Sequence, residues 1–227
     1  MNHRFFVPDG IEIGATIALS DEERHHARVL RVRDGEEVEL FDGRGRNFVA
    51  RFSENGVFVL KETVNREPAT AIHLAMSIIQ LDKFELVLQK ATELGVQSFL
   101  PVITDRIELH FERVRGKEER WRKIVLEAVK QSGRSRIPPV EQPIKFDEAM
   151  QREGSKIVFD ADAPPSTTDK RQPTTLFIGP EGGFSKRELE LARNAGATFE
   201  RLGPRRLRAE TAALAAVTII SARSGDI

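Results

Sequence analysis

Thr175-Leu-Phe-Ile-Gly-Pro-Glu-Gly-Gly-Phe-Ser185 and Leu202-Gly-Pro-Arg-Arg-Leu-Arg-Ala-Glu-Thr-Ala212 share one design. In each, an apolar, strand-like run ends in Gly-Pro and a helix-like run begins a few residues later. Pro180 fixes one φ, while Gly182 and Gly183 allow positive φ and remove side chains that would block a ligand. Ser185-Lys-Arg-Glu188 is a capping box that opens the helix, whose N-terminal amides favour acceptors. One such loop is explained equally well as strand–helix punctuation, with Glu181 complementing the helix dipole. Two of them close in sequence are far more specific, because they can form opposite walls of one pocket for a flat polar ligand.

Outward from these loops, the chain from Ile72 alternates strands and helices. Leu74 to Ile79 is a continuous apolar run, as expected of a strand buried on both faces. Phe84, Val87, Leu88, Ala91 and Leu94 repeat at helical spacing, with Gly95 as the stop. Ser98–Ile103, Lys156–Phe159 and Thr175–Ile178 read as further strands. Trp121, Ile124, Val125, Ala128 and Val129 mark an amphipathic helix. Asp160 to Pro173 reads as a long loop, functional or mobile. The last helix, from about Ala209, is apolar almost all round, which predicts burial on all sides in the core or against a second subunit. The sum is an α/β domain over 72–227 with a mainly parallel sheet.

Residues 1–68 have another style. Val38 and Leu40 alternate with Glu37 and Glu39, and Phe48, Ala50 and Phe52 with Val49 and Arg51, giving two strands joined by the turn Asp42-Gly-Arg-Gly45. Gly56–Leu60 adds a strand, and Ser20-Asp-Glu-Glu23 is another capping box, the first along the chain, opening a short helix. A compact barrel with one helix is the expected packing, and Arg66–Thr70 is the expected linker.

Composition excludes several chemistries. The 227 residues contain no Cys, which removes disulfides, thiolate nucleophiles and cysteine zinc sites. No His/Asp/Glu cluster has metal spacing, and the adjacent His25-His26 pair does not share a helix face. Neither a Gly-x-Gly-x-x-Gly after a strand nor a P-loop is present. The start lacks a secretory signal and the longest apolar run, Ala212–Ile220, is too short for a membrane span, so a cytoplasmic protein is expected. Lys plus Arg balance Asp plus Glu at 35 each. Arginines nevertheless cluster at Arg24–Arg51, at Arg113–Arg136 and at Arg201–Arg208. Any one cluster reads as a solvated face; three, one of them inside a ligand loop, tilt the reading toward a phosphate-bearing partner.

Together, Gly-Pro-Glu-Gly-Gly and Leu-Arg-x-Glu-Thr-Ala resemble the SPOUT class of RNA methyltransferases, whose C-terminal segment forms a deep trefoil knot. More narrowly, the chain is similar to the RsmE family, which methylates N3 of a uridine in small-subunit (16S) ribosomal RNA. The resemblance extends over the full length, through Arg4-Phe-Phe-Val7, His25-His26-Ala-Arg-Val-Leu-Arg31, Lys83–Gly95 and Gln131-Ser-Gly-Arg134. Lys130, where an acidic residue is common, and Ala209, often Thr, depart from the family pattern.

The resemblance implies S-adenosylmethionine held mostly by main-chain groups of Leu176, Ile178, Gly179, Pro180, Glu181, Gly182 and Gly183, and of Leu202, Gly203, Leu207, Arg208, Ala209, Thr211 and Ala212. It also implies a PUA-like barrel at the amino terminus and a homodimer through the C-terminal domain, with no metal and no membrane. Methylating uridine N3 requires loss of its proton and stabilisation of the anion. Arg134, placed by Gln131 and Ser132, is a candidate for the second task; Arg208 and Glu210 are the second pair of candidates, as substrate-facing or loop-bracing residues of the cofactor junction. Glu181 and Glu210 are candidate proton acceptors, and both serve equally well as loop braces. Arg4, Arg24, Arg28, Arg31, Arg44 and Arg46 are the expected RNA contacts. The rival readings are a non-catalytic RNA-binding module, an enzyme for a phosphorylated small molecule, and a methyltransferase for another RNA or base.

Overall fold

The computed structural model describes residues 3–107, 114, 116–165 and 172–227. Arg113 and Arg115 of the central basic cluster, and residues 166–171 of the long loop, lie outside them. The chain forms two compact units: residues 1–67 together with 129–137, and residues 68–128 together with 138–227.

The first unit is built from β1 (Arg4–Phe6), β2 (Thr16–Ile17), α1 (Asp21–Leu30), β3 (Glu37–Phe41), β4 (Asn47–Ser53) and β5 (Gly56–Thr63), with sheet order β1-β3-β4-β5-β2. The β3–β4 hairpin forms where the alternation places it. Its turn is closed by Asp42, whose Oδ1 accepts from the amides of Arg44, Gly45 and Arg46 at 2.7, 3.1 and 3.0 Å. Val38, Leu40, Phe48 and Ala50 are fully buried, with Phe5, Val57 and Val59. Only half of the first capping box forms: Ser20 Oγ accepts from the Glu23 amide at 3.2 Å. The Glu23 carboxylate instead meets Lys130 at 2.7 Å, with Glu23 buried and the Lys130 side chain 9 % exposed. Residue 130 thus has a structural partner here, and its basic character is matched by an acid on α1.

The segment 129–137 is held in this unit by two hubs. Arg4 donates to the carbonyls of Val129 (3.2 Å) and Arg134 (2.8 Å) and to Asn47 Oδ1 (2.8 Å), and pairs with Glu39 at 3.1 Å. Glu67 accepts from the amides of Ser135 and Arg136 at 2.8 and 2.9 Å and pairs with Arg134. Burial pushes the Glu67 carboxyl up, but the Arg134 hydrogen bond and charge and the two amides leave it below its ordinary value.

The second unit contains β6 (Ile72–Ser77), α2 (Leu81–Glu93), β7 (Ser98–Ile103), β8 (Ile144–Lys145), α4 (Phe146–Met150), β9 (Ser155–Phe159), β10 (Thr174–Ile178), α5 (Lys186–Asn194), β11 (Thr198–Glu200) and α6 (Ala209–Ser224); α3 (Glu118–Ser132) begins in this unit and ends in the first. The sheet order is β11-β9-β10-β6-β7-β8, and every pairing is parallel. This is the α/β architecture expected from the strand–helix alternation. The continuous apolar strands are covered on both faces, with Leu74, Ala75, Leu176 and Phe177 at most 1 % exposed.

Helix α6 packs on α2, β6 and β10 through Ala209, Ala213, Ala216, Val217 and Ile220, and within one chain only that face is covered. Thr211, Thr218 and Ala222 are exposed and Leu214, Ala215 and Ile219 only half-buried.

On β6, His73 Nδ1 lies 2.7 Å from Ser98 Oγ. Burial lowers the imidazole below its ordinary value, against the charge of Glu141. The unfolded chain therefore takes up this proton first as pH falls, so the contribution is complete above the unfolded value of 6.5 and is lost below it. His73→Gln should lose less unfolding free energy than wild type between about pH 7.5 and about pH 5.5. Equal losses in urea titrations would show that His73 protonates as freely in the folded chain as in the unfolded one.

Candidate functional site

Strands β9, β10 and β11 are parallel neighbours whose last residues, Phe159, Ile178 and Glu200, stand in register. Parallel strands send the segments that follow them out at the same sheet edge, where α/β proteins place ligands. The two Gly-Pro loops and the start of the Asp160 loop therefore meet around one cleft of about 370 Å³.

The first wall is the β10–α5 loop. The Gly183 amide donates to Pro180 O at 2.9 Å, and Gly183 has φ +67°, a conformation that favours glycine. Phe184 turns inward against Phe146, ring centroids 5.2 Å apart. The second capping box is complete: Glu188 N donates to Ser185 Oγ at 3.2 Å, and Ser185 N to Glu188 Oε2 at 2.7 Å. Glu188 is fully buried and its other oxygen accepts from the Asp105 amide at 2.8 Å. Asp105 also takes the hydroxyl of Ser185 and the fork of Arg187, whose other arm holds Asp147. Hydrogen bonds from Arg187 and Ser185 keep the Asp105 carboxyl below its ordinary value. Lys83 stands 3.6 Å from Glu181.

The second wall is the β11–α6 loop. Gly203 has φ +121°, and a side chain there would meet no atom within 4 Å. Arg205, Arg206, Leu207 and Arg208 are exposed, and Arg208 is the N-cap of α6 without a side-chain cap bond. Two polar atoms are buried here without a hydrogen-bond partner, Glu210 Oε2 and Arg201 Nε. The third wall is Phe159–Asp162, fastened where the Asp160 amide donates to Glu200 O at 3.0 Å and the Asp162 amide to Asp160 Oδ1 at 2.9 Å.

Of the expected cofactor residues, Ile178, Gly179, Pro180, Glu181, Gly182, Gly183, Leu202, Gly203, Leu207, Ala209 and Ala212 line this cleft. Leu176 is buried in β10, while Arg208 and Thr211 are exposed outside the lining. Glu210 sits in the first turn of α6, between two lining residues. Sequence reasoning missed Arg106, the Phe159–Asp162 wall, Phe184, Lys186 and Leu189. The one signal for the third wall is the length of the Asp160–Pro173 loop.

Arg134 is not in the lining. It belongs to the first unit, is 3 % exposed, and its fork grips Glu67 at 2.7 and 3.1 Å. A role at a reacting base would require that pair to open. Among the expected RNA contacts, Arg4 is 7 % exposed and committed to the interior of its unit. Arg24 pairs with Asp21, Arg44 with Asp9 at 3.0 Å, and Arg46 with Glu62 at 2.9 Å. Arg28 and Arg31 are exposed, and among the described residues no carboxylate forms an ion pair with either. No group of three or more His, Asp or Glu that could hold a metal occurs among the described residues, and none of the described helices is long and apolar enough to cross a membrane.

Residues 65–221 match the family model of an RNA methyltransferase domain, and residues 19–61 that of an RNA methyltransferase PUA domain. The chain is 30 % identical to the ribosomal RNA small subunit methyltransferase E of Aquifex aeolicus, over 91 % of this chain and 94 % of that protein. It is 32 % identical to the protein of the same name from Bacillus subtilis, over 93 % and 91 %. A solved structure of ribosomal RNA small subunit methyltransferase E from Neisseria gonorrhoeae, bound to S-adenosyl methionine, superimposes with a TM-score of 0.91 at 35 % identity, covering 98 % of each chain.

Proposed function

The chain belongs to the ribosomal RNA small subunit methyltransferase E family, and on that premise we propose that it methylates N3 of a uridine in small-subunit ribosomal RNA, using S-adenosylmethionine bound in the three-walled cleft. The observation that carries the reading is the cleft itself, lined by both Gly-Pro loops. The residues present fit such a group. Gly183 and Gly203 line the cleft, and a side chain at either would meet no protein atom within 4 Å. When bound, the cofactor supplies an electrophilic methyl group on a sulfonium.

The chain's own part is positioning and proton handling. Main-chain groups of the two loops fix the donor against the reacting atom, and in-line displacement rewards that alignment. The uridine N3 proton needs an acceptor. Glu181 is exposed and stands near Lys83, whereas Glu210 keeps one carboxylate oxygen buried and free of hydrogen bonds. That oxygen has no protein donor to give up before it meets a substrate N–H. Glu210 is therefore the proton acceptor in this reading. Glu210→Gln should lower kcat by about a hundredfold or more, the usual weight of general-base catalysis, while S-adenosylmethionine affinity in calorimetry stays near wild type. Parallel loss of affinity would make Glu210 a loop brace.

Of the expected RNA contacts, Arg28 and Arg31 are the cations best placed to meet phosphates, since among the described residues no ion pair engages them; Arg24, Arg44 and Arg46 can exchange their carboxylates for phosphate. Arg134 serves by anchoring segment 129–137 through Glu67. The half-exposed apolar face of α6, with Leu214, Ala215 and Ile219, supports a homodimer through the second unit, and ribosomal RNA as substrate supports a cytoplasmic location. The direct test is incubation with labelled S-adenosylmethionine and unmodified small ribosomal subunits, followed by nucleoside mapping. Label on N3 of one uridine supports the reading; label on another base atom, or none, rejects it.

A further inference from the structure

No sequence motif singles out Arg106, yet it stands where the exit of β7 meets the glycine loop. Its backbone is fixed on both sides. The Asp105 amide donates to Glu188 at 2.8 Å, the Ile107 amide to Thr104 O at 3.3 Å, and the Thr104 hydroxyl meets that of buried Ser77 at 2.7 Å. The side chain runs along the bare loop. Arg106 Nη1 donates to Gly182 O at 2.6 Å, and its Cδ and Cβ lie 3.5 and 3.6 Å from where a Gly182 side chain would begin. The residue lines the cleft.

Its fork is not taken up by an ion pair, although its charge acts on the Asp105 carboxyl. The neighbouring carboxylate, Asp105, is engaged by the fork of Arg187 and by Ser185, and among the described residues no carboxylate forms an ion pair with Arg106. A guanidinium has five N–H donors in a planar fork. One is placed on the loop, which orients the plane and leaves the others for a ligand. The ligand chemistry that matches such a fork beside open peptide groups is a carboxylate, gripped by parallel N–H bonds. Lys186, Arg201, Arg205 and Arg206 also line the cleft, but among the described residues none of them has a hydrogen bond to a glycine loop.

We propose that Arg106 is the anion anchor of the cleft, taking the carboxylate at the amino-acid end of S-adenosylmethionine. The proposal rests on the cofactor reading above. It makes Arg106 a specificity-determining residue, selecting nucleosides that carry an amino-acid tail, and it joins tail recognition to the Gly182 carbonyl and so to the shape of the loop.

The test compares two ligands in calorimetry without RNA. S-Adenosylhomocysteine carries the tail; 5′-methylthioadenosine has the same nucleoside and a thioether but no carboxylate. Arg106→Gln should weaken S-adenosylhomocysteine roughly ten- to hundredfold, the weight of a charge-assisted hydrogen bond, and leave 5′-methylthioadenosine within about twofold. Arg106→Lys should recover part of the loss, because it keeps the charge without the fork. Equal weakening of both ligands would reduce Arg106 to a brace of Gly182 and overturn the proposal. No change for either would also overturn it, leaving the cation to the RNA phosphates or to solvent. A wild-type protein that binds neither ligand would reject the cofactor reading itself, and with it this inference.

Discussion

Gly183→Val is expected to weaken S-adenosylmethionine binding by about a hundredfold or more, while costing the fold only about 1–3 kcal/mol of backbone strain. Gly183 has φ +67°, and a side chain there would meet no protein atom within 4 Å. A β-branched residue is a steric outlier in that conformation, and it adds bulk at a position that lines the cleft. Gly196→Val is the matched control. Gly196 follows α5, has φ +73° and equally open surroundings, and does not line the cleft. It should carry a similar stability cost with cofactor affinity intact. If the two variants lost affinity equally, strain rather than blockage would be responsible, and the bare-backbone account of the loop would fail.

Lys130→Glu should remove about 3–5 kcal/mol of stability, the cost of leaving a buried charge without its partner. The Lys130 and Glu23 side chains are 9 % and 4 % exposed and 2.7 Å apart, so the variant faces two carboxylates in one enclosed place. Against a typical total of about 5–15 kcal/mol, that is enough to unfold much of the protein near its working temperature. The double variant Glu23→Lys with Lys130→Glu restores opposite charges and should recover a large part of the loss in urea unfolding. A single variant within about 1 kcal/mol of wild type would mean that the pair is solvated like a surface bridge.

Much of the fold is legible locally. The alternating strands of the hairpin, the Asp42 turn and the Ser185 capping box all depend on residues a few positions apart, and they form as the pattern dictates. What the pattern cannot carry is partnership between distant residues. Ser20-Asp-Glu-Glu23 has the spacing of a box, yet Glu23 is drawn to Lys130, more than a hundred residues away. Arg4 reads as a cation for RNA and is instead a buried hub, because the carbonyls of Val129 and Arg134 claim it. Arg134 reads as a helix-end arginine free to reach a ligand and is held by Glu67 for the same reason.

The candidate site divides along the same line. Gly-Pro punctuation makes two of its walls readable, because glycine and proline shape backbone wherever they occur. The third wall follows from strand order: β9 lies between β10 and β11, and no local spacing announces that. Arg106 enters the cleft for a similar reason, through the bond from its guanidinium to Gly182 O. The apolar helix α6 shows the limit of composition. Its residues are apolar almost all round, but one chain covers only the face bearing Ala213, Ala216, Val217 and Ile220.

The central claim is that main-chain groups of the two Gly-Pro loops hold the methyl donor between them. Backbone amide spectroscopy during titration with S-adenosylmethionine tests it most directly. The amides of Gly179, Glu181, Gly182 and Gly183, together with those of Gly203, Leu207, Ala209 and Ala212, should shift along one saturating curve, with the first unit largely unmoved. Saturable binding that left both loops silent and moved amides elsewhere would contradict the account.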